Sequence, residues 1–85
     1  MIEKKITIAN ETGFHARPAS LFVKEATQGK SEVFIILDDK EINAKSMIGL
    51  LSLGAGKGTE LTLRVDGEDE VELINKLADF IVNMD

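Results

Sequence analysis

The stretch Leu61-Thr62-Leu63-Arg64-Val65-Asp66 alternates apolar and polar side chains without a break. A period of two belongs to a strand with one buried face. Gly67 closes the strand, and the period then changes. Val71, Ile74, Leu77, Ala78 and Ile81 fall on one face of a helix. Glu68, Asp69, Glu70 and Glu72 crowd its first turn, where the helix macrodipole favours each negative charge by about 0.3–1 kcal/mol. A half-buried strand followed by an amphipathic helix predicts a sheet covered on its apolar face by helices.

Moving towards the N-terminus, Ser46 to Leu53 reads as a short helix, with Ser46 as its N-cap and Gly54 ending it. Val33 to Leu37 is β-branched and aromatic and predicts a strand. Asp38-Asp39 turns the chain into a short strand through Ile42 and Ala44. Earlier, Ala16, Ala19, Val23 and Ala26 recur at helical spacing beside Phe22, until Gly29 stops the helix. Residues 9–15 are polar, contain Gly13 and read as a loop. Ile2, Ile6 and Ile8 share one parity and predict a first strand, although Lys4 interrupts the pattern. The expected order is β-α-β-β-α-β-α. An antiparallel sheet with helices on one side satisfies both periodicities. The expected fold is therefore an α+β open-faced β-sandwich, four antiparallel strands with three helices on one face, forming a single domain over residues 1–85.

Composition narrows the function. With no cysteine and one histidine, neither a disulfide framework nor a zinc site is available, and no metal or other cofactor is expected. Met1 to Ile6 has no apolar signal region, and the longest apolar run, Val33 to Leu37, is too short to span a bilayer. A soluble, cytoplasmic protein without membrane insertion is the expectation. Asn10-Glu11-Thr12 matches a glycosylation sequon, but without secretion it is a chance match. Residues 1–57 carry eight Lys/Arg against seven Asp/Glu; residues 58–85 carry two against eight. The acidic end argues against direct nucleic-acid binding. Arg17, Lys24 and Lys45 remain available to an acidic protein partner.

Three motifs fail on inspection. Gly54-Ala55-Gly56-Lys57-Gly58-Thr59 looks like a phosphate loop, but Leu51 and Gly58 stand where a Walker loop needs Gly and Ser or Thr. A dinucleotide fingerprint needs Gly where Thr59 stands, and a helix where a strand follows. An RNA-recognition sheet needs exposed aromatics, yet the chain has four Phe and no Tyr or Trp.

His15 remains. On position alone it is a polar residue near a helix cap. Its neighbours change that reading. The helix start presents free N–H groups from Ala16 and Arg17, which with the dipole make an anion site. Pro18 lies in the first turn, where its missing N–H costs nothing and its fixed φ stiffens the chain. Arg17 offers a planar fork suited to phosphate oxygens. The same field disfavours imidazolium, so the ring is expected to be neutral and nucleophilic. Phosphoryl transfer depends mostly on positioning and charge stabilisation, so a small carrier needs few side chains.

Gly13-Phe14-His15-Ala16-Arg17-Pro18-Ala19 resembles the active-site segment of the HPr family, the histidine-containing phosphocarriers of the phosphoenolpyruvate-dependent sugar phosphotransferase system. Lys45-Ser46-Met47-Ile48-Gly49-Leu50-Leu51-Ser52-Leu53-Gly54 resembles the family's second signature. The resemblance spans essentially the whole chain. It implies that His15 accepts phosphoryl on Nδ1 from Enzyme I and gives it to sugar-specific EIIA components. Arg17 and the Ala16 N–H would steady the phosphate. Such a protein is a carrier and not an enzyme, and a monomer is expected.

Ser46 carries two compatible readings, an N-cap and a regulatory phosphorylation site. The resemblance implies HPr kinase/phosphorylase as its modifier and a catabolite-control transcription factor as the partner of the phosphoserine form. Gly49 resembles the regulated branch; branches without the kinase often carry Lys there. Met47, Ile48 and Leu51 are candidate docking residues, although Met47 and Leu51 could equally be core. Phe14, in place of a more usual Leu or Ile, is expected to alter only the contact surface. The extra glycine in Gly54-Ala55-Gly56 suggests a looser turn. Alternatives are a regulatory HPr-like binding module and a carrier of a nitrogen-regulatory or dihydroxyacetone-kinase branch. An inert structural domain is a third, for which Arg17 would be dispensable to phosphoryl transfer.

Overall fold

A computed structural model describes residues 1–84. Its strands are β1 (Ile2–Thr7), β2 (Glu32–Leu37), β3 (Lys40–Asn43) and β4 (Glu60–Asp66). Its helices are α1 (Ala16–Gln28), α2 (Met47–Ser52) and α3 (Glu70–Asn83). The chain order is β-α-β-β-α-β-α, and the sheet order is β1-β4-β2-β3 with every pair antiparallel. The expected open-faced sandwich is what forms.

Alternation in β4 places Leu61, Leu63 and Val65 in the core. Register does the rest. Ile6 lies opposite Leu61, while Ile35 and Val33 lie opposite Leu63 and Val65, so one face of the sheet is a continuous apolar surface. The helices cover it: α3 packs on β1 and β4, α2 on β3, and α1 against α2 and α3. Phe22 is fully buried, edge-on to Phe14 and to Phe80 at ring distances of 5.3 and 5.7 Å. The opposite face is charged. There Arg64 pairs with Glu3 at 2.7 Å and Glu41 at 2.6 Å, joining three strands. Both carboxylates are exposed enough that water screens each pair strongly.

Four details refine the pattern read from the sequence. Lys4 has the inward parity of Ile2 and Ile6 but stays exposed, because its ammonium donates to Asn75 Oδ1 on α3 at 2.8 Å. Its long stem lets the charge reach the rim of the core. Ala16 is exposed, and Pro18 joins Ala19, Phe22 and Ala26 in the buried stripe of α1. Val71 is 59% exposed. Leu73 anchors the start of α3 in its place, occupying the space that Gly29, lacking a Cβ, leaves at the end of α1. Phe14 is not a surface residue: it is 6% exposed and packed on Phe22.

Asp69 occupies the N-cap position of α3, yet its carboxylate does not cap that helix. It accepts from the Lys30 and Ser31 N–H groups, both at 2.9 Å, and from the Ser31 hydroxyl. Those bonds tie the α1–β2 turn to the start of α3. They hold the Asp69 carboxyl below its ordinary range, the Ser31 hydroxyl most strongly. Among the described residues no helix is long and apolar enough to cross a membrane.

Candidate phosphate-accepting site

His15 is the N-cap residue of α1, with extended backbone angles (φ −89°, ψ −178°). Its carbonyl accepts the first helical bond, from Ala19 N–H at 3.0 Å. Its imidazole makes no capping bond. A cap side chain that leaves the helix amides alone is unusual, and it keeps the ring free for other chemistry. Among the described residues, the Ala16 and Arg17 N–H groups donate to no backbone carbonyl, and Pro18 has no N–H. The helix start therefore presents two amides and a positive dipole end.

The approach to His15 is held from behind. The His15 N–H donates to Gly13 C=O at 3.1 Å, and Asn10 Nδ2 donates to the same carbonyl at 3.0 Å. Gly13 has φ +59°, in the left-handed region that favours glycine. A Cβ there would stand 1.9 Å from the Ala55 carbonyl oxygen. Only glycine permits both the angle and the approach.

In front, His15 opens on a groove of about 300 Å³. The start of α1 supplies one wall, with His15, Arg17, Pro18 and Leu21. The end of α3 supplies the other, with Asp79, Phe80, Asn83 and Met84. Asn83 Nδ2 donates back to Asp79, to its carbonyl at 2.9 Å and its carboxylate at 3.1 Å. Arg17 forms no ion pair among the described residues. The α3 wall was not foreseen from the sequence. Asp79 and Asn83 share a helix face at i,i+4 spacing, but nothing local to them points to His15, more than sixty residues earlier.

Ser46 lies outside this groove. It is the N-cap of α2: its hydroxyl accepts from Gly49 N–H at 3.1 Å and its carbonyl from Leu50 N–H at 3.1 Å. Gly49 has an ordinary steric environment, where a Cβ would come no nearer than 3.4 Å to its neighbours. The three candidate docking residues divide. Met47 is half-buried and packs against the core, whereas Ile48 is 82% and Leu51 43% exposed. Leu21 of the neighbouring α1 is exposed as well.

Comparison with known proteins places the chain among relatives of its own size. The family described as the PTS HPr component phosphorylation site matches residues 2–83. The HPr-like protein Crh of Bacillus subtilis is 48% identical over 81 residues, covering 95% of each chain. The phosphocarrier protein HPr of Neisseria meningitidis is 43% identical over 81 residues, covering 95% of this chain and 91% of its own. The crystal structure of HPr from Thermoanaerobacter tengcongensis superposes with a TM-score of 0.91 at 46% identity, covering 95% of this chain and 91% of that one.

Proposed function

The chain belongs to the HPr family of phosphocarrier proteins, and on that premise we propose that His15 takes a phosphoryl group from phospho-Enzyme I and passes it to sugar-specific EIIA components. The observation that carries this reading is the uncapped imidazole of His15 at the start of α1, opening on a groove it shares with Arg17. In the forward step the lone pair of His15 Nδ1 forms a new P–N bond while the bond from phosphorus to the donor breaks and its electron pair leaves with the donor. No water enters. Arg17, the Ala16 N–H and the positive end of α1 offset the charge on the transferred group. The second step is the same exchange with His15 as the leaving group. The partners supply donor and acceptor, so the protein is a covalent carrier rather than an enzyme. This chemistry belongs in the cytoplasm, where phosphoenolpyruvate is made.

Ser46 is proposed as a regulatory phosphorylation site for HPr kinase/phosphorylase. As an N-cap it sits where added negative charge is compatible with the helix, so modification changes the surface and not the fold. The phosphoserine form would then meet a catabolite-control transcription factor. Ile48 and Leu51 are the docking contacts that this surface offers, with Met47 supporting them from below. A second reading, a purely regulatory binding module, is favoured by the similarity to Crh, the catabolite repression HPr of Bacillus subtilis. The presence of His15 argues for a working carrier. A nitrogen-regulatory or dihydroxyacetone-kinase branch differs only in the partners served. The carrier is taken to act as a monomer, although Crh of Bacillus subtilis crystallises as a swapped dimer; sedimentation distinguishes the two.

Incubation with phosphoenolpyruvate and Enzyme I should give an acid-labile, alkali-stable phosphate that His15→Ala lacks. No label on the wild type, with the same Enzyme I active on another HPr, defeats the carrier reading. Kinase and ATP should instead give an acid-stable phosphate that Ser46→Ala lacks.

A further inference from the structure

The glycine-rich turn at residues 54–58 is absorbed by neither the phosphate chemistry nor the docking surface, yet it lies directly behind the His15 loop. Leu53 closes α2, and Gly54 (φ +61°) redirects the chain. The turn is stitched to the far end of β1: Gly58 N–H donates to Ile8 C=O at 2.8 Å, and Ile8 N–H to Thr59 C=O at 2.9 Å. Lys57 reaches Glu11 in the loop at 3.2 Å. Between these ties, buried Ala55 presents its backbone to Gly13. A Cβ on Gly13 would lie 1.9 Å from the Ala55 carbonyl oxygen, 2.9 Å from its carbon and 3.0 Å from Gly56 Cα. All three are backbone atoms and cannot swing aside as a side chain would. The Gly13 carbonyl in turn accepts the His15 N–H. An uninterrupted path therefore runs from the turn, through one backbone-on-backbone contact, to the N-cap that holds the imidazole.

We propose that the 54–58 turn is a brace for phosphoryl transfer, and that Gly13 and Ala55 are positioning residues that set where His15 stands relative to the amides of α1. This rests on the carrier reading of His15. Neither residue touches the phosphoryl group. Transfer is sensitive to their contact because the attacking nitrogen must be in line with the donor, and small displacements of a reacting group are costly to rate. Arg17, the Ala16 N–H and the positive end of α1 could all be present and still be misaligned if the loop moved off the brace.

The test compares Gly13→Ala with Ala55→Gly. The first forces the two backbones apart; the second loosens the brace without adding an atom. Ser31→Ala, distant from the site and destabilising through loss of a bond to Asp69, controls for stability. All are assayed at a temperature where their amide spectra show a folded chain. The turnover of phospho-Enzyme I at saturating carrier is expected to fall at least tenfold for Gly13→Ala and about threefold for Ala55→Gly, with Ser31→Ala within twofold of wild type. Amide and His15 ring shifts should move at residues 13–17 and 54–58 in the first two only. If Gly13→Ala does not fold, Ala55→Gly decides alone. Wild-type turnover in a folded Gly13→Ala, or wild-type turnover and ring shifts in Ala55→Gly, overturns the brace. Failure of the wild type to accept phosphate overturns the carrier reading instead, and the ring shifts then report on the brace by themselves.

Discussion

Arg17 can stabilise a phosphate in two ways that a substitution separates. Its guanidinium carries charge, and its planar fork can meet two oxygens at once. Lysine keeps the charge and loses the fork. If the proposed role is right, Arg17→Lys lowers the rate of phosphoryl transfer to an EIIA acceptor by on the order of tenfold or more, while Arg17→Ala lowers it further. A rapid-quench measurement of transfer from the preformed phosphoprotein checks this, and equal rates for wild type and both variants would count against a phosphate contact. The neighbouring Phe14 has a different environment. It flanks His15 in the chain, yet it is a core side chain edge-on to Phe22. A residue beside a reactive group need not face what that group faces; His15 and Phe14 point to opposite sides of the loop's backbone, one to the groove and one to the core.

Within elements, local rules explain most of the chain. Period-two alternation located β4, and a serine before an apolar run located α2 with its cap. That cap gives a direct expectation. Ser46→Ala leaves the Gly49 N–H without its partner and should cost about 1 kcal/mol. In an 85-residue chain the melting temperature then falls by about 4–8 °C. An unchanged melting curve would mean that the hydroxyl does not cap α2 in solution. What the sequence left unread has a common physical form. Asp69 looks like one more acidic residue in the first turn of α3, but its bonds go to Lys30 and Ser31, across a tertiary gap. Leu73 replaces Val71 as the anchor because of a gap left by Gly29. Phe80, Asn83 and Met84 complete the groove only because α3 ends against the start of α1. In each case a partner distant in sequence decides the outcome, and periodicity carries no information about partners. The His15 side of the site was legible because a helix start is itself a local motif; the α3 side was not.

For the molecule as a whole, the hydrogen bonds at the ends of α3 and β1 fix how stability responds to pH. Asp69 is held below its ordinary range by the Ser31 hydroxyl and the Lys30 and Ser31 amides. Glu70 is lowered by the terminal amine of Met1 and the Gly67 N–H. A carboxyl with a depressed folded value stabilises the fold fully above its unfolded value, about 4, and loses that contribution as pH falls through the folded value. The terminal amine is shifted the other way: its bond to Glu70 raises it, so its contribution is present below about pH 8 and fades as pH rises above that. Stability should therefore form a plateau through neutral pH with an acid limb below about pH 4. Asp69→Asn should lower the plateau and flatten the limb. Urea titrations across pH 2–8 would show both, and an unchanged limb would contradict the assignment. None of these groups lies in the His15 groove, so acid loss of the fold and the chemistry of the carrier are separable.

In the carrier proposed here, phosphate is accepted at Nδ1 of the histidine that starts α1. Nitrogen-15 and phosphorus-31 NMR of the protein, labelled in its one histidine, after reaction with phosphoenolpyruvate and Enzyme I, identifies the accepting atom. A phosphorus–nitrogen coupling to Nδ1 of His15 is expected. An unmodified His15 ring, with phosphate absent or attached elsewhere, would contradict it.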